Sequence, residues 1–300
     1  MKRIKIKQVD AFTTTPFMGN PAGVVTQAKG LTEKEMKFIA REMNVSETAF
    51  ILPTTTSKAD VRIRWFTPTT EVSLCGHATI ASFHALAEEK HLGMSKTGTY
   101  HFRLKTKSGI LPIEVEKARR RTVIKFGLPV PRFRKAKVDV HTLAKVLNIS
   151  AAEFDRCLPI LMAGNIYIPI QRLSTILKMK PDFNEMIRVG RQKNIHGFCV
   201  FTTETIEPFS SVHSRFFAPH AGIKEDPVTG SANGPLGVYL YEQGLLGTRD
   251  GTLKIVGEQG DAIARKGRVL IEVEVRRGKV KSVSISGEAV TVLQGEIIIS

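Results

Sequence analysis

Cysteine is scarce. The 300 residues hold three, Cys75, Cys157 and Cys199, and no two form a CxxC pair. An odd, scattered set argues against a disulfide framework or a structural zinc site, and for reduced thiols in the cytoplasm. Long apolar runs are missing too, so no membrane span is expected. The amino-terminal MKRIKIKQVDAF is a basic, alternating strand without the apolar stretch of a signal peptide. The sequence contains no GxGxxG, no GxxxxGK followed by Ser or Thr, no HExxH and no GxSxG. Nucleotide cofactors and metals therefore have no sequence support, and none is expected. Acidic residues are outnumbered 28 to 44 by Lys and Arg, for a net charge of +16. Aromatics are not interleaved with that charge as in single-strand binders, so no nucleic-acid partner is expected. Much of the charge lies between Lys117 and Lys137 and reads as a solvated basic surface.

What is present is organised around one stretch, RWFTPTTEVSLCGHATIASFHAL, Arg64 to Leu86. It reads as a strand, a loop, a Cys-Gly-His turn and a helix of small apolar residues. Ala78, Ile80, Ala81, Phe83, Ala85, Leu86 and Ala87 leave that helix almost no polar face. A helix apolar all round is buried on all sides, so other elements must wrap it. Its first turn presents free N–H groups as a ready anion site, and Gly76 lets a ligand approach closely.

The design occurs twice. Arg215 to Leu240, RFFAPHAGIKEDPVTGSANGPLGVYL, repeats the Arg-aromatic-Phe-x-Pro strand and the apolar helix, with Gly244 as the helix stop. Cys75-Gly76-His77-Ala78 answers to Thr229-Gly230-Ser231-Ala232. Gly30 to Leu52 resembles Lys180 to Phe201, each a surface helix, an Asn and a strand. Repetition of this length predicts two copies of one unit. Strands are expected in the first copy at Ile4–Phe12, Gly23–Thr26, Ala49–Leu52, Val61–Phe66, His101–Thr106, Ile110–Glu116 and Thr122–Phe126. Val61-Arg62-Ile63-Arg64-Trp65 alternates as a half-buried strand does. The predicted class is α+β: two pseudo-symmetric domains, each a barrel-like, mostly antiparallel sheet around one central buried helix. The first domain is residues 1–128, completed by a returning strand in 289–300. The second is 129–288, after the Leu128-Pro129-Val130-Pro131 linker.

Each candidate for chemistry has a plain structural alternative. Glu47 is either an exposed residue after a turn, or a partly desolvated carboxylate at a strand end, tuned to move protons near neutral pH. His77 either shapes the helix tip or works there. Cys75 is a small buried hydrophobe or a thiol acidified by the helix N-terminus. Asp226 starts a turn before Pro227, or serves the second helix tip. Ser231 is a simple N-cap, or a ligand contact. Asn20, in Gly19-Asn20-Pro21, is a turn residue first and a ligand contact second.

Four motifs, VDAF…GNPAGVV at Val9, NVSETAF at Asn44, FTPTTEVSLCGHAT at Phe66 and EDPVTGSANGPLG at Glu225, run in order over the whole chain. Together they resemble the phenazine-biosynthesis (PhzF-like) isomerase family, which shares the fold of diaminopimelate epimerase. The resemblance implies cofactor-independent isomerisation of a small carboxylate in a cleft between the two domains. It implies Glu47, His77 and Asp226 as catalytic residues, with Ser231, Gly76, Gly230, Asn20 and Cys75 binding substrate. It also implies a homodimer. The amino-acid epimerases of this fold use two facing cysteines; here Cys75 matches the first position and Thr229 stands at the second. That departure favours Glu47 chemistry over two-base racemisation. The alternatives are a one-cysteine epimerase or racemase using Cys75, and a catalytically silent protein whose basic surface binds a partner or nucleic acid.

Overall fold

A computed structural model describes residues 1–299, which divide into two compact units. One is Met1–Gly127 with residues 284–299; the other is Leu128–Val283. The chain is mixed α/β, mostly sheet with few helices. Among the described residues no helix is long and apolar enough to cross a membrane.

In the first unit, strand Lys2–Ala11 lies antiparallel between Ala289–Ile299 and Asn20–Val25. Asn20–Val25 runs parallel to Glu47–Leu52, which pairs antiparallel with Val61–Phe66. Strand Gly98–Thr106 joins Val61–Phe66 in parallel and leads an antiparallel run through Gly109–Lys117 and Thr122–Leu128. The first parallel pair needs a crossover, and helix α1 (Glu33–Met43) supplies it. Thr32 and Glu35 form a reciprocal capping box at its start, and Asn44 closes it in the left-handed conformation. Met36, Ile39 and Ala40 recur at helical spacing and bury against Val25, Phe50 and Phe66.

Several strand ends differ from the sequence expectation. The first strand ends at Ala11 because Phe12 adopts a positive φ of 63°. The second begins at Asn20, not Gly23, and the third at Glu47, not Ala49. In both cases backbone pairing extends beyond the apolar residues that marked the strand, with Ala11 opposite Asn20 and Ala22 opposite Glu47. Gly19 makes the turn possible: its φ is 62°, and a Cβ would meet the Ala11 carbonyl oxygen at 2.2 Å.

Helix α2 (Gly76–Glu88) is buried from His77 through Ala87 except His84. It packs on strands Lys2–Ala11, Asn20–Val25, Glu47–Leu52 and Ala289–Ile299. Its two buried hydroxyls cost little, because each bonds back along the helix. Thr79 Oγ1 donates to the Cys75 carbonyl at 2.7 Å and Ser82 Oγ to Ala78 at 2.6 Å. At the other end, Lys117 donates its ammonium to the carbonyls of Ala87 and Met94. This corrects the reading of Lys117 as plain surface. A cation beside a helix C-terminus complements the dipole; the Ala87 carbonyl also accepts from the Lys90 amide, whereas the Met94 carbonyl relies on Lys117. Arg119, Arg120, Arg121, Arg132, Arg134, Lys135 and Lys137 are exposed as expected, while Lys125 is half-buried. Lys117→Met should therefore lower unfolding stability by about 1–3 kcal/mol, since it leaves the Met94 carbonyl without a donor. Arg119→Ala should stay within about 0.5 kcal/mol. Urea unfolding of the two variants compares them.

In the second unit, Asn165–Pro169 runs parallel to Phe198–Thr202, which pairs antiparallel with Val212–Ala218. Gly251–Gln259 joins Val212–Ala218 in parallel and pairs antiparallel with Gly267–Arg276. Helices α3 (Val140–Leu147), α4 (Leu173–Lys178) and α5 (Phe183–Lys193) lie on one face, over a core that includes Leu143, Ile176, Met186, Val189, Phe198 and Phe217. Asp182 caps α5 through its carboxylate, and Asn194 ends it in the left-handed conformation. Helix α6 (Gly230–Glu242) is buried along most of its length and approaches Gly267–Arg276 closely. A Cβ on Gly237 would meet Ile271 at 2.6 Å. Gly244, at φ 72°, lies just past the end of α6.

The repeated Arg-aromatic-Phe strand has a physical reason in each unit. Arg64 makes two hydrogen bonds to the Glu71 carboxylate, at 2.7 and 2.9 Å, and lies over the Phe66 ring. Arg215 makes the same paired contact with Glu225, at 2.8 and 2.7 Å, and lies over Phe217. The motif braces each unit.

Candidate functional site

Strand alternation sets the first half of the site. Phe50 on Glu47–Leu52 points into the core beneath α1. Glu47, Ala49 and Ile51 therefore occupy the opposite face. Glu47 starts the strand with its side chain 10% exposed, and its Oε2 lies 3.3 Å from His77 Nε2. His77 is the second residue of α2 and Cys75 is its N-cap; the thiol makes no capping bond. Instead Cys75 Sγ lies 3.4 Å from His77 Nδ1. Among the described residues, ligand atoms of Glu47, Cys75 and His77 lie within 4.8 Å of one another, but the thiol stands beside the ring and off the Nε2 lone pair, so the three as placed do not fit a zinc ion. Asn20 is buried beside the strand that carries Glu47, and its Oδ1 accepts from Ser46 Oγ at 3.5 Å.

Burial pulls the His77 pKa down from 6.5 to about 3, so the ring is neutral at physiological pH. A neutral imidazole has one N–H and one acceptor nitrogen. It can take a proton on one side and give one on the other. The same burial gives a pH dependence whose sign is fixed. Between pH 6.5 and 3 the unfolded chain binds a proton at this position that the folded chain does not, so stability falls as pH drops through that window. From pH 7 to pH 5 the loss from this one group is about 2 kcal/mol, at 1.36 kcal/mol per unit. His77→Gln should show a correspondingly smaller loss in urea unfolding at the two pH values.

The second unit assembles another group around the start of α6. Thr229 is the N-cap, and its hydroxyl donates to Asp226 Oδ2 at 2.5 Å. Gln259 braces the turn. Its Nε2 donates to the Asp226 carbonyl at 2.8 Å and to Thr229 Oγ1 at 3.1 Å, while its Oε1 accepts from the Thr229 amide at 3.0 Å. Asn233 Nδ2 donates to the same Gln259 oxygen at 2.8 Å and to the Thr229 carbonyl at 3.1 Å. Ser231 is not the N-cap: the helix begins one residue earlier, at Gly230, and Ser231 is exposed on its first turn. Pro235 has no N–H to give the Ser231 carbonyl. An exposed hydroxyl, that of Ser231, thus marks this helix tip.

The sequence had placed Glu47, His77, Cys75 and Asn20 among the site candidates, and the structure gathers the first three into contact. Asp226, Gly230 and Ser231 gather in the other unit with Thr229. Gln259, Asn233 and Asp10 had been missed. Asn233 stands four residues after Thr229, a helical spacing that could have flagged it. Gln259 comes from a distant strand and carries no local signal. Asp10 is buried and holds the loop after the first strand by accepting from the Phe17 amide at 2.8 Å.

The fold is epimerase-like. A hydroxyproline epimerase from Agrobacterium vitis, 12% identical, overlays with a TM-score of 0.62 over 99% of this chain and 91% of its own, which shows the fold. The family described as phenazine biosynthesis-like protein matches residues 9–295, and the chain belongs to that family. It is 38% identical, over the full length of both chains, to an uncharacterized isomerase of Clostridium acetobutylicum. It is 34% identical to a phenazine biosynthesis protein of Bacillus anthracis, PhzF family, with a TM-score of 0.90 and full coverage of both chains. With these relatives the chain is an isomerase.

Proposed function

We propose that the protein moves a proton on a small carboxylate-bearing metabolite without a cofactor, with Glu47 as the general acid/base. The contact between Glu47 and the buried, neutral His77 at the tip of α2 supports this most strongly. Glu47 is buried with its carboxylate within reach of the imidazole, so a proton can pass between the ligand, Glu47 and His77. Glu47 takes a proton from a carbon next to a carbonyl or carboxylate, and the C–H electron pair moves into an enolate. Helix-tip amides, Gly76 among them, stabilise the charge that develops there. Where a C=C is conjugated with the enolate, the charge reaches a second carbon, and Glu47 returns a proton there, with His77 positioning it.

Following the family resemblance, we assign Asp226 to proton positioning and Ser231, Gly230, Asn20 and Cys75 to substrate contacts. The duplicated architecture, the homodimer and the cytoplasmic location belong to the same proposal. A second reading, Cys75 as the base of a one-cysteine epimerase, draws support from the Cys75–His77 contact. It lacks a partner base at the matching position, because the Thr229 hydroxyl is donated to Asp226 and also accepts from Gln259. Incubation with a panel of small carboxylates in heavy water tests the proposal. New C–D bonds in a recovered, isomerised metabolite are expected; a panel member isomerised only on addition of a cofactor would contradict it.

A further inference from the structure

We infer that strands Val61–Phe66 and Gly98–Thr106 carry a binding site for a phosphate dianion, on the face where α1 lies. Alternate residues of a strand point to one face. Val61, Ile63, Trp65, Phe102 and Leu104 are buried on the other face. Arg62, Arg64, Arg103 and Lys105 therefore share the α1 face, and Arg62 stands directly opposite Lys105 in the parallel pairing. Two of these four cations are matched. Arg64 binds the carboxylates of Glu71 and Glu33, and Arg103 makes two side-chain hydrogen bonds to Asp60. Arg62 and Lys105 are both half-buried, and among the described residues neither makes a hydrogen bond or an ion pair. Like charges directly opposite on neighbouring strands, ~4.8 Å apart, destabilise a sheet. An anion held between them reverses that cost.

The space beside the pair selects the ligand. A cavity of about 380 Å³ is lined by Arg62, Arg64, Lys105 and Lys107, against two carboxylates, Glu33 and Glu71. Both carboxylates are already engaged, Glu71 by Arg64 and Lys107, Glu33 by Arg64 and Lys37. The uncompensated charge therefore rests on Arg62 and Lys105. A phosphate monoester carries ~1.5–2 negative charges at neutral pH and three strong acceptor oxygens. The guanidinium can take two of those oxygens through its planar fork, and the ammonium adds a point charge. A single carboxylate would neutralise only one of the pair. Trp65, the aromatic residue among those lining the cavity, is fully buried and offers no ring for a nucleic-acid base to stack on. Arg62 and Arg64 stand opposite Leu52 and Phe50 in register, on the face turned away from Glu47. The site is therefore separate from the group around His77.

Isothermal titration of the whole chain in dilute chloride buffer, with inorganic phosphate and with glycerol 3-phosphate, reads the site. Arg62→Met and Lys105→Met keep the apolar stems and remove the charges. Each should weaken binding by ~10–100-fold, the worth of one hydrogen bond between charged groups. Arg119→Met, at an exposed cation of the basic segment, should bind as the wild type does. Tighter binding of glycerol 3-phosphate than of inorganic phosphate assigns the site to a phosphate ester; equal or weaker binding assigns it to free phosphate. Urea unfolding supplies a second readout. Without phosphate, both site variants should unfold at or above the wild-type midpoint, because the opposed charges are gone. Phosphate should raise the midpoint of the wild type and leave theirs in place. Four results would each overturn the site: no phosphate binding by the wild type, succinate bound as tightly as phosphate, undiminished binding in the two site variants, or loss of binding in Arg119→Met. Site variants that unfold well below the wild type without phosphate would do the same, since the pair would then serve the fold.

Discussion

Glu47→Gln should lower turnover of an isomerised substrate by at least ~10²–10⁴-fold, the usual worth of a general acid/base, while product-like ligands still bind. The amide fills the same space at the start of the strand and keeps polar contact with His77, but it cannot hold a proton at physiological pH. Helix-tip amides, which bind the ligand's negative charge, are untouched by the change. The loss should therefore fall on kcat, with KM little altered. Cys75→Ser keeps the N-cap residue small and polar, and should be mild by comparison. Asp226→Asn should fall between the two, because its carboxylate accepts the Thr229 hydroxyl and the asparagine side chain can still accept it.

Arg215→Ala should be the most destabilising single change in the second unit, by about 3–5 kcal/mol. Arg215 is 6% exposed. It pairs twice with Glu225, and its Nη1 also donates to the carbonyls of Ile176 and Met179 at 2.8 and 2.9 Å, at the end of α4. Truncation leaves a largely buried carboxylate without its counter-charge and two carbonyls without a donor. The expected cost approaches the whole stability of a marginal domain, ~5–15 kcal/mol. Arg215→Lys keeps the charge but loses the planar fork, and should recover only part. Replacing both partners, Arg215→Met with Glu225→Leu, should recover more than the single truncation, since no lone charge is then left buried. Arg64→Ala should cost less. Arg64 binds no carbonyls, and one of its partners, Glu33, is half-exposed. Chemical denaturation of these four variants orders them.

Much of this was legible in the sequence where the signal was local. The all-round apolar composition of α2 and α6 announced their burial, because no face was left for water. The Asn after each amphipathic helix marked a left-handed cap, as Asn44 and Asn194 show. The Cys-Gly-His turn announced a helix tip. What could not be read was set by partners far away in the chain. His77 meets Glu47, which stands 30 residues earlier on a strand. Lys117 looked like one more member of a basic run until Ala87 and Met94 gave it carbonyls to cap. Gln259 supports the α6 tip through four hydrogen bonds from a strand 30 residues downstream. The plain alternative for Ser231, an N-cap, fails by two residues: Thr229 is the cap and Gly230 takes the first helical position, which leaves the serine exposed on the first turn.

Deuterium incorporation by wild type, Glu47→Gln and Cys75→Ser, measured on one substrate in heavy water, decides which residue moves the proton. Wild type and Cys75→Ser should form C–D bonds at comparable rates, and Glu47→Gln should form almost none. Exchange that survives in Glu47→Gln and stops in Cys75→Ser would contradict the assignment and make the thiol the base.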